Sequence, residues 1–309
     1  MEFELSPDQR LLLDGLQGLL EPFRRPPAGV HGYVEYSAVL QRQLMDSGYL
    51  EVAAQPEYGP LEAALLAEEI ASCPVSVEAA ASALVGPLLT ADGPNDATPL
   101  ALAWGLGTAC RFLPQARRVC LMQGDEVWVG TPQAEDLRPI DSIVAYPLAT
   151  LRRLPRDSVQ LLGGSAVAVR RRALISLAVE ATGAMRGALD LTVQHVKDRQ
   201  QFGQPLGHFQ AIQHRLAEDA QRVHASRLLS LRAAFADDDR QAFLACLYVQ
   251  DALRKIIYDC HQFTGAMGLT LEYPLHLWTY RLKCLQGEAG GRGLQAQRLA
   301  QAVWPASRG

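Results

Sequence analysis

Arg199-Gln-Gln-Phe-Gly-Gln-Pro-Leu-Gly-His-Phe-Gln210 stands between two long amphipathic stretches. In one turn it gathers a guanidinium, an aromatic ring, a Gly-x-Pro breaker and a side-chain amide. Arg199 is a permanent cation whose planar fork suits a diphosphate, and Gln210 offers a donor and an acceptor to an adenine edge or a ribose hydroxyl. Phe202 has the surface to cover a flat ring. Such a corner suits a nucleotide, although the same residue types also serve as a surface arginine, a core phenylalanine and a helix-start glutamine.

Upstream, Leu174, Leu177, Ala178, Ala181, Met185, Ala188, Leu189, Val193 and Val196 form one helical stripe, which Gly203 and Pro205 are expected to end by a left-handed cap and a breaker. Downstream, a second helix is predicted from Phe209 to Phe235 and a third, after the acidic Ala236-Asp-Asp-Asp239 turn, to Phe263. Two more follow, near Leu275–Leu285 and Leu294–Val303. These stripes predict a C-terminal four-helix bundle over 171–309. The first third, 1–96, also reads as helical: Ser6-Pro7 is a cap followed by proline, Leu11 to Leu20 repeat at helical spacing, and Ala38–Met45, Leu61–Ala71 and Val77–Leu89 continue the pattern. Loops are predicted at Gln55–Pro60 and Ala91–Pro94. Between the helical parts, over 97–170, the periodicity fades. Val119–Met122 and Val127–Val129 flank Gln123-Gly-Asp-Glu126 as a hairpin would, and Ile143–Tyr146 and Ala166–Val169 read as further strands. The fold class is mainly α with a small β section.

Composition excludes several functions. A formal charge of −4 over 309 residues gives no global field for a phosphate backbone, and the basic clusters Arg24-Arg25, Arg152-Arg153 and Arg170-Arg171-Arg172 read as solvated surface, so nucleic acid is not an expected partner. The last triple is kept in view because a coenzyme phosphate also attracts arginine. The six cysteines lack metal-ligand spacing and the seven histidines are dispersed, so no metal site is expected. No apolar run approaches the ~20 residues that span a bilayer, and the acidic N-terminus does not read as a secretory signal. The expectation is a cytoplasmic protein with no membrane partner.

Arg199 to Gln210 resembles the R-x-x-F-G-x-x-(small)-x-x-F-Q signature of acyl-CoA dehydrogenases. Gln262-Phe-Thr-Gly-Ala-Met-Gly-Leu-Thr-Leu-Glu-Tyr-Pro274 is similar to that family's Q-x-x-G-G-x-G-(x)₃-E-Y-P, in the right order and on the predicted helices. Leu5-Ser-Pro-Asp-Gln-Arg, Pro56-Glu-Tyr-Gly59 and Ala67-Glu-Glu-Ile70 carry weaker likenesses. The resemblance implies an N-terminal helical domain, a β domain and a helical bundle, with FAD bound across a subunit interface. It assigns Arg199, Phe202 and Gln210 to the adenosine and diphosphate end of FAD, and Gln262 and Gly265 to the diphosphate. Ala266 replaces the second glycine of the pair, and its methyl narrows the backbone's approach to the phosphates.

Two departures shape the reading. The family's T-E-P-x-x-G-S-D-like loop and W-x-T strand, which hold the flavin ring and the thioester, have no counterpart in the shortened middle section beyond Ala103-Trp-Gly-Leu-Gly-Thr108. Desaturation also needs a carboxylate to take the α-proton. Counted without gaps from Glu272, the family's glutamate falls on Ala289, and the position used by other members falls on Ala173. Glu288 is one residue away, but a one-residue step turns a helical side chain by about 100°, and Glu288 reads as a loop carboxylate at solvent. Glu180, beside the apolar stripe, reads as a paired structural acid or one close to a site.

The resemblance is therefore to the shortened subunit of a heteromeric (α2β2) bacterial acyl-CoA dehydrogenase. It implies a homologous catalytic partner that supplies the base and flavin-ring contacts, an acyl-CoA substrate and an electron-transfer acceptor. Such pairs are often associated with CoA thioesters of steroid side chains. The alternatives are an independently active homo-oligomer using Glu288 or Glu180, and a non-enzymatic assembly scaffold.

Overall fold

The computed structural model describes residues 4–27, 32–89 and 99–304. The predicted Ala91–Pro94 loop lies outside them. Near the N-terminus stand α1 (Pro7–Leu20), α2 (Ala38–Asp46), α3 (Pro60–Ala71) and the short α4 (Ala80–Leu84). Ser6 caps α1 reciprocally: its Oγ accepts from the Gln9 N–H at 3.1 Å, and its own N–H donates to Gln9 Oε1 at 3.0 Å. The leucine stripe then buries Leu16 and Leu20 against Leu40, Leu44, Leu66 and Ile70. Each such side chain contributes roughly 1.5–3 kcal/mol. The helix expected over Val77–Leu89 is shorter. Its α-helical turns begin at Ala80, where buried Glu78 accepts from the N–H groups of Ala81 and Ser82, and they stop before Gly86-Pro87.

The middle section holds two small sheets. One orders β1 (Leu100–Ala103), β3 (Arg118–Gln123), β4 (Glu126–Gly130) and β7 (Val159–Leu161). The other orders β2 (Ala109–Arg111), β6 (Leu148–Leu151) and β5 (Leu137–Ile140). The Gln123–Glu126 hairpin is present, with Gly124 at φ +59° in its turn. Alternation sorts side chains to both faces of the first sheet. Ala101, Ala103, Val119 and Leu121 meet the second sheet, while Leu102, Cys120, Met122 and Val127 face a helix.

That helix is α5 (Gly163–Asp198), 36 residues long. It contains Ala166–Val169, which alternation alone marks as a strand; helical spacing prevails because Ala166, Val169 and Ala173 all face the sheet core. The other expected strand, Ile143–Tyr146, is a bent connection with Ala145 at φ +61°. The helix ends at Asp198, before Gly203. The next residues form a two-stranded hairpin, β8 (Gln200–Gln201) and β9 (Gln204–Pro205), with Phe202 and Gly203 in its turn. Gly203 therefore serves a hairpin and not a helix cap.

The bundle is completed by α6 (Gln210–Ala236), α7 (Asp239–Thr264), α8 (His276–Gly287) and α9 (Gly291–Val303). Close packing of α5 uses two glycines. A Cβ at Gly183 would lie 2.2 Å from the Glu68 carbonyl, and one at Gly187 would lie 2.2 Å from Trp278 Nε1. α3 and α8 can therefore approach the α5 backbone directly. Among the described residues no helix is long and apolar enough to cross a membrane, and no group of side chains is arranged to hold a metal.

Candidate functional site

The Arg199 corner is held by its backbone and leaves its side chains free. The Arg199 N–H donates to the His195 carbonyl at 2.8 Å, and its carbonyl accepts from the Leu206 N–H at 2.9 Å, yet the guanidinium is exposed and forms no ion pair with a described residue. A cleft of about 370 Å³ lies beside it, lined by Leu191, His195, Arg199, Met267 and Tyr273. Tyr273, of the Glu-Tyr-Pro motif, closes one wall. Its ring meets His195 edge-on at 5.4 Å and its hydroxyl donates to the Leu191 carbonyl at 3.4 Å. Burial and the adjoining Arg199 hold His195 below the ordinary imidazole range.

Phe202 and Gly203 both have positive φ, +54° and +81°. Phe202 is 87% exposed, with only an edge-on neighbour in Phe209 at 6.1 Å. A bulky residue in the left-handed region costs about 1–2 kcal/mol, and here burial returns little of it. Gln210 begins α6 with an exposed side chain.

The second motif closes α7. Gly265 takes φ +61° and ψ −147°, a conformation suited to glycine, and opens the turn Gly265–Leu269. A Cβ at Gly268 would strike Thr264 Oγ1 at 2.0 Å, so this glycine is fixed by packing. Gln262 and Gly265 line a groove of about 930 Å³ on the outer face of α7 and α8. The two motifs thus flank one turn: Met267 faces the Arg199 cleft, whereas Gly265 and Leu269 face the groove. Phe202, Gln210 and Ala266 are exposed and line neither space.

The carboxylates considered for proton abstraction are elsewhere and are occupied. Glu288 is not at solvent as its loop position implied. Its side chain is 10% exposed and accepts from Arg111 Nε at 2.6 Å and from Trp104 Nε1 at 3.0 Å. The same guanidinium donates to both oxygens of Glu180 at 2.8 Å, and Tyr146 donates to Glu180 at 2.7 Å. Burial works against the charge on Arg111, but Glu180 and Glu288 outweigh it and raise its pKa well above the ordinary value. Tyr146 also lies 4.7 Å beneath the guanidinium.

The register of this loop is fixed. Gln250 Nε2 donates to the carbonyls of Leu285 and Glu288 at 3.0 and 2.9 Å, and Gln295 Nε2 donates to that of Ala289 at 2.8 Å. Ala289, the position reached by the gapless count from Glu272, sits at φ +56°. The space beside the cluster is about 10 Å³, bounded by Glu78, Leu102, Arg111, Phe112, Glu180 and Glu288. Beyond Trp104 and Ala289 a cleft of about 660 Å³ opens between the β3–β4 hairpin, α5 and α9. There Arg170 pairs with Asp125 at 2.8 Å and Arg171 with Asp239 at 2.7 Å, while Arg172 pairs with Asp237 at 3.1 Å. The arginine triple is largely neutralised.

Sequence reasoning missed Arg111. Its signal was an arginine in the apolar run Ala109–Leu113, matched by Glu180 as an acid in an otherwise apolar helix segment. A buried charge of each sign calls for the other.

A family model described as acyl-CoA dehydrogenase, C-terminal domain, matches residues 165–304. The acyl-CoA dehydrogenase FadE34 of Mycobacterium tuberculosis is 33% identical over 207 residues, 62% of this chain and 29% of that protein. The chain spans less than half the length of the curated relatives it matches. Among solved structures, a chain of the ChsE4-ChsE5 complex from Mycobacterium tuberculosis matches with TM-score 0.81 and 18% identity, over 98% of this chain and 99% of that one. A chain of the Tcur3481-Tcur3483 steroid ACAD G363A variant matches with TM-score 0.75 and 21% identity, over 96% and 97%. At those identities the likeness shows the fold alone. Residues 165–304 are thus an acyl-CoA dehydrogenase C-terminal domain, and the described chain follows the fold of these solved structures.

Proposed function

We propose that this chain is the shortened subunit of a heteromeric, FAD-dependent acyl-CoA dehydrogenase that desaturates an acyl-CoA thioester between its α and β carbons. The observation that carries the reading is the Arg111 cluster. Glu180 and Glu288, the two carboxylates weighed above as bases, are both bound to one buried guanidinium, and the space of about 10 Å³ beside them admits no acyl chain. This argues against an independently active homo-oligomer. Proton abstraction and the flavin-ring contacts fall to a homologous partner.

The free side chains fit the anionic end of a dinucleotide. Arg199 is exposed and forms no ion pair with a described residue, Gln262 and Gly265 line an open groove, and Gly265 leaves its backbone approachable. Arg199 and Gln262, with Gly265, would hold the diphosphate of FAD across the interface, and Phe202 and Gln210 would face the adenosine. When bound, FAD supplies the hydride acceptor. The chain's own part is to bind and orient. A pure scaffold has no physical need for these exposed groups together, which argues against the third reading.

Two of the similar structures, the ChsE4-ChsE5 complex and the Tcur3481-Tcur3483 steroid ACAD, carry the names of two components. They favour a two-component arrangement acting on a bulky, steroid-type thioester; the α2β2 stoichiometry, the cytoplasmic location and a separate electron acceptor belong to the proposal itself. Absorbance spectroscopy tests the proposal. The chain purified alone should be colourless, and co-expression with a full-length homologue encoded beside it should give a yellow complex; a flavin-loaded, active homo-oligomer would sink the idea.

A further inference from the structure

The groove past Gln262 and Gly265 carries chemistry that neither motif contains. Tyr258 and Leu269, 59% and 69% exposed, give it aromatic and apolar surface. Of its cationic walls, Lys255 is paired with Asp259 and Arg292 with Asp251. His261 is turned to Thr279 at 3.0 Å and held below the ordinary imidazole range by burial. Arg254 and Lys283 are different: both are exposed to the groove, and neither forms an ion pair with a described residue. The groove therefore carries about two uncompensated positive charges beside a flat ring and a side-chain amide. A diphosphate carries about two negative charges and accepts hydrogen bonds from guanidinium, ammonium and amide groups.

Resting on the reading above, we propose that Arg254 and Lys283 are phosphate ligands of the adenosine diphosphate moiety of FAD. They would act from the groove side of the Gly265–Leu269 turn, while Arg199 acts from the cleft that Met267 lines. The charges sit on two helices, α7 and α8, so the phosphate site is built on the rigid bundle and not on the hairpin alone.

The test titrates the flavin-stripped complex of this chain and its catalytic partner with FAD, following flavin fluorescence, and follows assembly by sedimentation at the same concentrations. The double variant Arg254→Gln/Lys283→Gln should weaken FAD binding about ten- to a hundredfold and flatten its salt dependence, with assembly intact. Arg199→Ala serves as the separate test of the underlying reading. If Arg199→Ala weakens FAD and the double variant does not, the groove proposal is overturned and the reading stands. If neither changes FAD affinity, both fall. If the double variant dissociates the complex while the complex that remains binds FAD normally, the groove is a protein interface and the proposal is overturned.

Discussion

At the scale of single residues, Phe202 combines exposure with backbone strain. Phe202 is a large aromatic in the left-handed region with almost no packing in the isolated chain. Strain of this kind persists where something else uses the side chain. Phe202→Asn, which tolerates that backbone, should stabilise the chain by up to about 1 kcal/mol in thermal unfolding and should also reduce flavin retention in the assembled complex. A lower melting temperature would mean that Phe202 already contributes packing in the free chain. The left-handed backbone at Gly203 was legible because a Gly-x-Pro breaker marks it, although it serves a hairpin. The fate of Glu288 was not legible. Its partner Arg111 is 177 residues away, and no local rule reports a contact of that range.

Among elements, the cluster around Arg111 joins β2, the middle of α5 and the turn between α8 and α9. Such a network is a poor source of net stability but a strong source of dependence. Removing one partner strands the others in a dry site, whereas replacing the set can be nearly neutral. Arg111→Met should therefore cost about 3–5 kcal/mol in chemical denaturation. The triple variant Arg111→Met/Glu180→Gln/Glu288→Gln should recover most of it, since glutamine still accepts from Tyr146 and Trp104. A single variant as stable as the parent would mean that the carboxylates are not held as an ionic cluster. Element boundaries were legible where caps or breakers are local, as at Ser6-Pro7 and the acidic turn before α7. They failed at Ala166–Val169, where small apolar residues satisfy both periodicities and only the sheet packed against them decides.

For the molecule as a whole, the order of helices, sheets and bundle was legible from periodicity, because each layer buries one face. The Arg111 cluster was not, because it arises only when the layers meet. The same layering buries acids whose titration governs stability. Asp219 on α6 lies against Asp259 on α7, and burial together with that neighbour pushes Asp219 up to about 7. Asp259 is itself buried, but Arg215 and Lys255 hold it below its ordinary value. The two effects occupy different pH ranges. Between about pH 4 and 7 the folded chain binds a proton at Asp219 that the unfolded chain does not, so this group's stabilising contribution is full below about 4 and is lost as pH rises to 7. The contribution of Asp259 is lost only at lower pH, as it becomes protonated. Asp219→Asn keeps the shape and removes the titration. The variant should gain on the parent progressively from pH 4 to 7, by on the order of 1–2 kcal/mol once screening near Arg222 is allowed for, and the difference should be flat above pH 8. Thermal unfolding of both proteins across that range decides it, and parallel curves would show that the pair does not set the pH dependence of the fold.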